Sequence, residues 1–384
     1  MAQRHPTEKN HRDDMDLIDQ LTQLDAFPDT LALRHRRDKI VAASQGSYDA
    51  LFDPILPGLG LRTRLQVAER VAALSDSSAL QQHYASRLDT PGLTQDSAAI
   101  SSAALVFAEK LTRRPVDGDR AAIDALLAAG LDAPAIITLA QLIAFVTFQV
   151  RVIAGLDALK HSSAPAADAV TPPADTAPFV HPAHLPKPGE PLNIKGYTSA
   201  SLDWKAWVPV LQLDQATPEQ LAILEASHPT AKTSDYYLAL IQQPRILQER
   251  STVFNAIMYA PGGMSRAERE LASTVVSRVN GCVYCASVHA QRFEQLAKRN
   301  DVIAQVFEDP DTAGANARER AIVQLALTLT RQPGHLAASD LQALYAAGLT
   351  AAEILDGIHS IAIFAWANRL MLNLGEHVWP VQPA

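Results

Sequence analysis

The chain has 384 residues and only two cysteines, Cys282 and Cys285, which excludes a secreted scaffold stapled by several disulfides. Aromatic residues make up 6% of the sequence, while Ala and Leu are abundant, a composition that favours helices over sheets. Strand signals are nearly absent. The best alternating piece, Trp207 to Leu213, is weak. No Lys/Arg cluster is present, and 33 basic against 41 acidic residues leave a net charge of −8. Phosphate binding needs a basic face, so no nucleic-acid partner is expected. The most apolar stretch, Ala133 to Phe148, is interrupted by Gln141 and followed closely by Arg151. It is short for a membrane span and reads as a buried core helix. The first sixteen residues are polar and lack the apolar centre of a signal peptide. A soluble, cytoplasmic protein with no membrane partner is the expectation. Gly-rich dinucleotide and Walker A patterns are also missing, so no tightly bound organic cofactor is expected.

The length suits two or three domains, and 48% apolar with 19% charged residues is ordinary for globular ones. The segment from His161 to about Pro188 is rich in Pro, Ala and Ser and has no apolar periodicity. It reads as an extended linker resting on one domain through Phe179 and Val180. The expected division is a helical domain over 1–160, a linker over 161–200 and a second helical domain over 201–384.

The two halves repeat each other. LTRRP at 111–115 matches LTRQP at 329–333, and ALLAAGLDAPAI at 125–136 matches ALYAAGLTAAEI at 343–354. Arg151 matches Arg369 and Leu156 matches Leu374, all at a constant offset of 218 without a gap. This marks two copies of one helical unit. Inside the unit, Ser339 and Asp340 resemble a helix start and Gly348 a stop. Thr350 with Glu353 forms a capping box for a helix so apolar that it belongs at the centre of a bundle.

The chemistry-bearing stretch runs from Ser265 to His289. Ser265 and Glu268 form a capping box that opens a helix reaching about Val279, and Asn280-Gly281 is a turn. A second helix starts near Cys282. Spacings of three and four place Cys282, Cys285 and His289 on one face. Two thiols one turn apart can close a disulfide with little backbone movement. A Cys-x-x-Cys setting lowers a thiol pKa from about 8.5 toward roughly 3.5–7.5. The helix N-terminus favours a thiolate at Cys282, whereas proximity to His289 favours one at Cys285. Glu270, on the preceding helix, reaches the same face if the two helices are antiparallel, and there orients His289. Taken singly, His289 reads as a partly buried surface histidine and Glu270 as a solvated charge beside Arg266, Glu268 and Arg269. Structural zinc wants four ligands, and a site of two Cys, one His and one Glu would be unusual. Inert buried cysteines are the common alternative. The combination points instead to redox work: one thiolate becomes a sulfenic acid, and the other thiol condenses with it. Tyr284 reads as a packing residue. His359 and Arg369 read as satisfied core or interface groups that have the option of lining a pocket.

Glu270, Cys282, Cys285 and His289, in the pattern Glu-x11-Cys-x-x-Cys-x-x-x-His, resemble the alkyl hydroperoxidase D-like, or carboxymuconolactone decarboxylase-like, superfamily. The surrounding text GGMSRAERELASTVVSRVNGCVYCASVHAQRF is similar to its peroxidase-related branch. The resemblance covers about residues 217–377. It implies an all-α fold of two tandem helical bundles and a thiol-dependent peroxidase of the alkyl hydroperoxide reductase type. By it, Cys285 is the peroxide-attacking thiol, Cys282 the resolving thiol, and His289 with Glu270 the proton relay. It further implies a small hydroperoxide substrate and an external thiol or electron-donor protein, with no cofactor and no metal. Assembly as a homo-oligomer, a dimer or trimer of two-domain chains, also follows from it. Tyr284 stands where some relatives carry His.

The N-terminal copy lacks the thiols. Aligning His83 with His289 puts Leu65 on Leu271, Arg64 on Glu270, Asp76 on Cys282 and Ala79 on Cys285. This half is expected to serve as a built-in partner subunit. Two other functions remain open: a lactone decarboxylase-like enzyme, which has no need of the cysteine pair, and a non-enzymatic redox sensor or assembly protein.

Overall fold

The structure, a computed structural model, describes residues 15–162, 179–187 and 189–380. Among them, ten helices of eleven residues or more form the framework: α1 (Asp38–Leu51), α2 (Leu61–Leu74), α3 (Ser78–Leu88), α4 (Ala98–Arg113), α5 (Ala133–Lys160), α6 (Pro244–Met258), α7 (Arg266–Val279), α8 (Val283–Ala297), α9 (Ala317–Arg331) and α10 (Ala351–Asn373). The all-α expectation is met. The first five and the last five helices follow the same order. In each set the second helix packs on the third, fourth and fifth.

Local sequence sets the helix ends. Ser265 caps α7 and Thr350 caps α10, each inside a full capping box with Glu268 or Glu353 three residues on. These caps satisfy amide groups that the first helical turn leaves without carbonyl partners. Asp132 caps α5, its carboxylate accepting the Ala135 N–H at 2.9 Å. Ser339 and Asp340 lie in a short 3₁₀ turn, Ala338–Leu341, that runs into the helix Gln342–Ala346. Gly348, with φ +81°, ends that segment in the left-handed region that favours glycine.

The helices α5 and α10 are buried around most of their circumference and pack against each other at the centre of the molecule. α5 is long and apolar enough to cross a membrane by composition, yet its apolar window lies inside the protein. It extends well past Phe148, because Arg151 is accommodated inside the core rather than ending the helix. Gly155 permits the close approach. A Cβ there would fall 2.5 Å from Ile358 Cγ2. Trp366 packs edge-on against Phe145 and donates its indole N–H to Gln141 Oε1 at 2.8 Å, which satisfies the buried indole donor.

Contacts between the halves come in reciprocal pairs. Arg151 donates to the Thr330 carbonyl at 3.3 Å, and Arg369 to the Thr112 carbonyl at 3.1 Å. Both the arginines and the threonines are 218 positions apart. Each arginine also donates to the carbonyl one turn back on its own helix. Gly281 sits against Val116, and Gly334 against the Ser75 carbonyl. Helix α1 likewise packs on α6. This is the arrangement of a two-fold interface, in which residue i meets j and the equivalent of j meets the equivalent of i.

Three details depart from expectation. Trp207 to Leu213 is not a strand; the strand is Asp203–Ala206 just before it (β3), paired antiparallel with Gly375–Val378 (β4) after α10. Partner availability decided this, since an isolated alternating stretch has nothing to hydrogen-bond. Within the expected linker, Asn193–Ile194 (β1) and Tyr197–Thr198 (β2) form a small hairpin over α8, with Gln291 donating to the Ser199 carbonyl at 2.7 Å. Val180 is exposed rather than resting on a domain, while the Phe179 ring lies 5.0 Å from the Arg299 guanidinium. Most of the Pro/Ala-rich stretch lies outside the described residues.

Candidate functional site

The site sits where α7, α8, α6 and α10 converge. The turn Asn280-Gly281 joins α7 to α8, with Gly281 at φ +77°. Cys282 is the N-cap of α8 rather than a residue within it, and Cys285 lies in the first helical turn. His289 follows one turn later. Its Nδ1 lies 2.5 Å from Glu270 Oε2 on α7. Glu270 is almost fully buried and receives a second hydrogen bond from Arg266 Nε at 3.1 Å. The glutamate is therefore not the solvated helix charge that its neighbours suggest when it is taken singly. Burial alone would push its carboxyl up. The His289 ring and the Arg266 guanidinium outweigh that and hold it below the ordinary glutamate value. An ionised carboxylate on Nδ1 keeps the proton there and leaves Nε2 as the nitrogen that exchanges protons. Phe364 on α10 packs edge-to-face on the imidazole at 4.2 Å and fixes its plane.

Arg269, the residue before Glu270, positions α7. It is buried and donates to the carbonyls of Ile257, Ala260 and Gly262 in the segment before the helix, and to Asp356 on α10. Asp356 also accepts from Arg37 in the N-terminal half at 2.8 Å. Each half therefore helps to hold the helix that carries Glu270.

A cavity of about 200 Å³ opens beside this pair. Cys285, His289, Glu270 and Tyr284 all line it, so Tyr284 does more than pack. Cys282 is 1% exposed and is not among the lining residues. Burial pushes the Cys282 thiol well above the ordinary thiol value, and the neighbouring Cys285 thiol adds to the rise. The helix N-terminus, which by itself favours a Cys282 thiolate, is outweighed by desolvation. Both thiols are free. His359 and Arg369 do not line the cavity. Arg369 spans the two halves, as above, and His359 is buried with Nδ1 unpartnered.

Sequence reasoning overlooked Arg250 and Tyr236, which also line the cavity. A signal for Arg250 exists. It shares the helical stripe Ile246, Arg250, Val253, Ile257 on α6, and the other three positions of that stripe are apolar and buried.

Residues 244–328, from α6 through most of α9, match the carboxymuconolactone decarboxylase family. Among curated proteins, none matches this chain. Two solved structures align in part. One is the core of an alkylhydroperoxidase, an uncharacterized peroxidase-related protein from Ralstonia eutropha, 26% identical over 42% of this chain and 85% of that one, with a TM-score of 0.38. The other is an uncharacterized peroxidase-related protein from a Silicibacter species, 22% identical over 44% of this chain and 91% of that one, with a TM-score of 0.36.

Proposed function

We propose, from a C-terminal segment that belongs to the carboxymuconolactone decarboxylase-like superfamily, that the chain is a thiol-dependent peroxidase acting through Cys285 and Cys282. The observation that carries this reading is the division of labour at the cavity. Cys285 lines it together with a His289–Glu270 pair, while Cys282 is buried outside the lining, its thiol kept protonated by burial and by the neighbouring Cys285 thiol.

The steps balance as follows. Cys285 gives its proton to His289 Nε2, and the thiolate sulfur attacks the terminal peroxide oxygen. The O–O bond breaks, Cys285 becomes a sulfenic acid, and the departing alkoxide takes the proton from His289 and leaves as an alcohol. The Cys282 sulfur then bonds to the Cys285 sulfur, displacing the hydroxyl. With the Cys282 proton, that hydroxyl leaves as water. An external dithiol restores the pair by thiol–disulfide exchange and supplies both electrons. Glu270 holds the imidazole in the tautomer these transfers need. In this reading the N-terminal half is a second, cysteine-free copy of the helical unit that supports α7 through Arg37 and Asp356. The cytoplasm suits a catalytic thiol pair, because reductants keep it open there.

The family name itself raises a second reading, decarboxylation of a lactone. One experiment separates the two. The reduced protein receives one equivalent of cumene hydroperoxide, and free thiols and remaining peroxide are counted together. Loss of both thiols with matching peroxide consumption, abolished in Cys285→Ser, is expected. Persistent thiols with untouched peroxide would overturn the peroxidase and leave the decarboxylase to be assayed.

A further inference from the structure

Arg250 is 3% exposed, yet its guanidinium has no hydrogen bond and no ion pair among the described residues. Its Nε is buried without a partner. Aromatic rings flank it, with the Tyr236 centroid 5.4 Å and the Phe254 centroid 5.7 Å away. Ring faces attract a cation, but they do not fill its N–H donors. A buried and unpaired charge is costly, and proteins normally pair it. Tyr236 repeats the pattern. Its hydroxyl is buried with no partner in the same wall of the cavity. Burial, foremost, keeps this phenol protonated, so it is a donor at neutral pH.

The rest of the cavity offers nothing to neutralise Arg250. Among the described lining residues the one carboxylate is Glu270, which His289 and Arg266 already occupy. Apolar Met258, Phe364 and Met371 also line the cavity, together with polar Thr230 and Ser234 and a further arginine, Arg292. Unmatched donors without a free carboxylate to meet them, beside apolar side chains in the same lining, describe a site for an anion with an apolar body. A carboxylate suits a guanidinium best, since its two oxygens meet the planar fork of N–H groups.

We propose that Arg250 and Tyr236 form an anion subsite of the thiol cavity, and that the cavity takes small carboxylates with an apolar body. Combined with the peroxidase reading, this makes the substrate class carboxylate-bearing organic hydroperoxides. The anion subsite rests on that reading only for the reacting group, not for the carboxylate.

Calorimetric titration of the full reduced chain with hexanoate, and separately with the neutral isostere hexanamide, tests the subsite without any chemistry at sulfur. Hexanoate is expected to bind about tenfold more tightly than hexanamide. In Arg250→Gln that preference disappears, while Arg250→Lys keeps part of it. Hexanoate binding no tighter than hexanamide in the unaltered protein would overturn the proposal, and so would undiminished hexanoate binding in a folded Arg250→Gln. If Arg250→Gln does not fold, Tyr236→Phe is read instead, with a severalfold loss expected for hexanoate alone and an unchanged affinity counting against the subsite. A protein that binds hexanoate in this way but leaves peroxide untouched keeps the subsite and loses the peroxidase. One that consumes peroxide and ignores hexanoate does the reverse.

Discussion

Two equivalent places in this molecule have opposite fates. In the C-terminal half, α6, α7, α8 and α10 enclose a cavity. In the N-terminal half the corresponding helices α1, α2, α3 and α5 enclose a filled core. Tyr84 stands where the other half has Ala290, Gln149 where it has Ala367, Phe52 where it has Met258 and Tyr48 where it has Phe254. The Tyr84 ring stacks on Phe52 at 5.1 Å and donates to Gln149 Oε1 at 2.5 Å. The space that is cavity on one side is side chain on the other. His83 keeps the place of His289, but its partner is the Tyr48 hydroxyl at 2.8 Å rather than a carboxylate. Burial, helped by Arg87, pulls its pKa down to about 4, so it stays neutral. Arg64, aligned with Glu270, donates to the carbonyls of Leu51, Asp53 and Leu59 and does for α2 what Arg269 does for α7. One framework thus holds a cavity or a packed core according to side-chain volume and charge at a few positions, while the helices stay the same.

The largest expected effect comes from taking the relay out of the open half. Glu270→Gln removes the charge that fixes the His289 tautomer, and the rate of thiol loss with hydroperoxide should fall about a hundredfold in stopped-flow traces. A rate within twofold of the unaltered protein would put the proton route elsewhere. Tyr84→Ala hollows the closed half to resemble the open one. It leaves Gln149 unpaired and should cost about 3–5 kcal/mol in urea unfolding, with peroxide consumption per thiol unchanged. A cost below about 1 kcal/mol would mean the N-terminal core collapses to fill the gap.

His359 tests the comparison through pH. It stands at the position of Gln141 in the other half. Burial, above all, lowers its pKa from 6.5 to about 4, so the folded protein holds it neutral. Its contribution is fully present above pH 6.5 and is lost as pH falls toward 4. The loss is on the order of 3 kcal/mol. His359→Gln, which borrows the residue of the other half, should flatten that part of the stability–pH curve. An unchanged slope would assign the acid sensitivity to other groups. The smallest effect concerns the reciprocal arginines. Arg151→Met and Arg369→Met each remove one hydrogen bond across the centre and should each cost about 1–3 kcal/mol, by nearly the same amount. Costs differing by more than about 2 kcal/mol would show that the two halves do not share the interface evenly.

Much of this was legible in the sequence. The capping boxes at Ser265 and Thr350, the Gly281 turn and the helical spacing from Cys285 to His289 are local, and local chemistry writes them directly. The constant offset of 218 made the repeat visible without any structure. Other features were not legible because they depend on what comes from a distant part of the chain. β3 forms only because β4 returns from beyond α10. Arg250 sits on an apolar stripe, yet nothing in α6 alone reveals that no acid among the described residues meets it. At the two cysteines the sequence left opposing pulls, helix position toward Cys282 and the His289 spacing toward Cys285, and the burial of Cys282 adds weight on the side of Cys285.

The sequence by itself determined the helical units and the ends of the helices around the thiols, because each is set by residues within a turn or two of one another, and comparison of the two halves showed the duplication and the absence of thiols from the first copy. Only the tertiary structure decided which copy holds the cavity, which thiol lines it and that Arg250 meets no acid among the described residues. Those outcomes depend on volume and desolvation summed over several helices, and no single segment contains that sum.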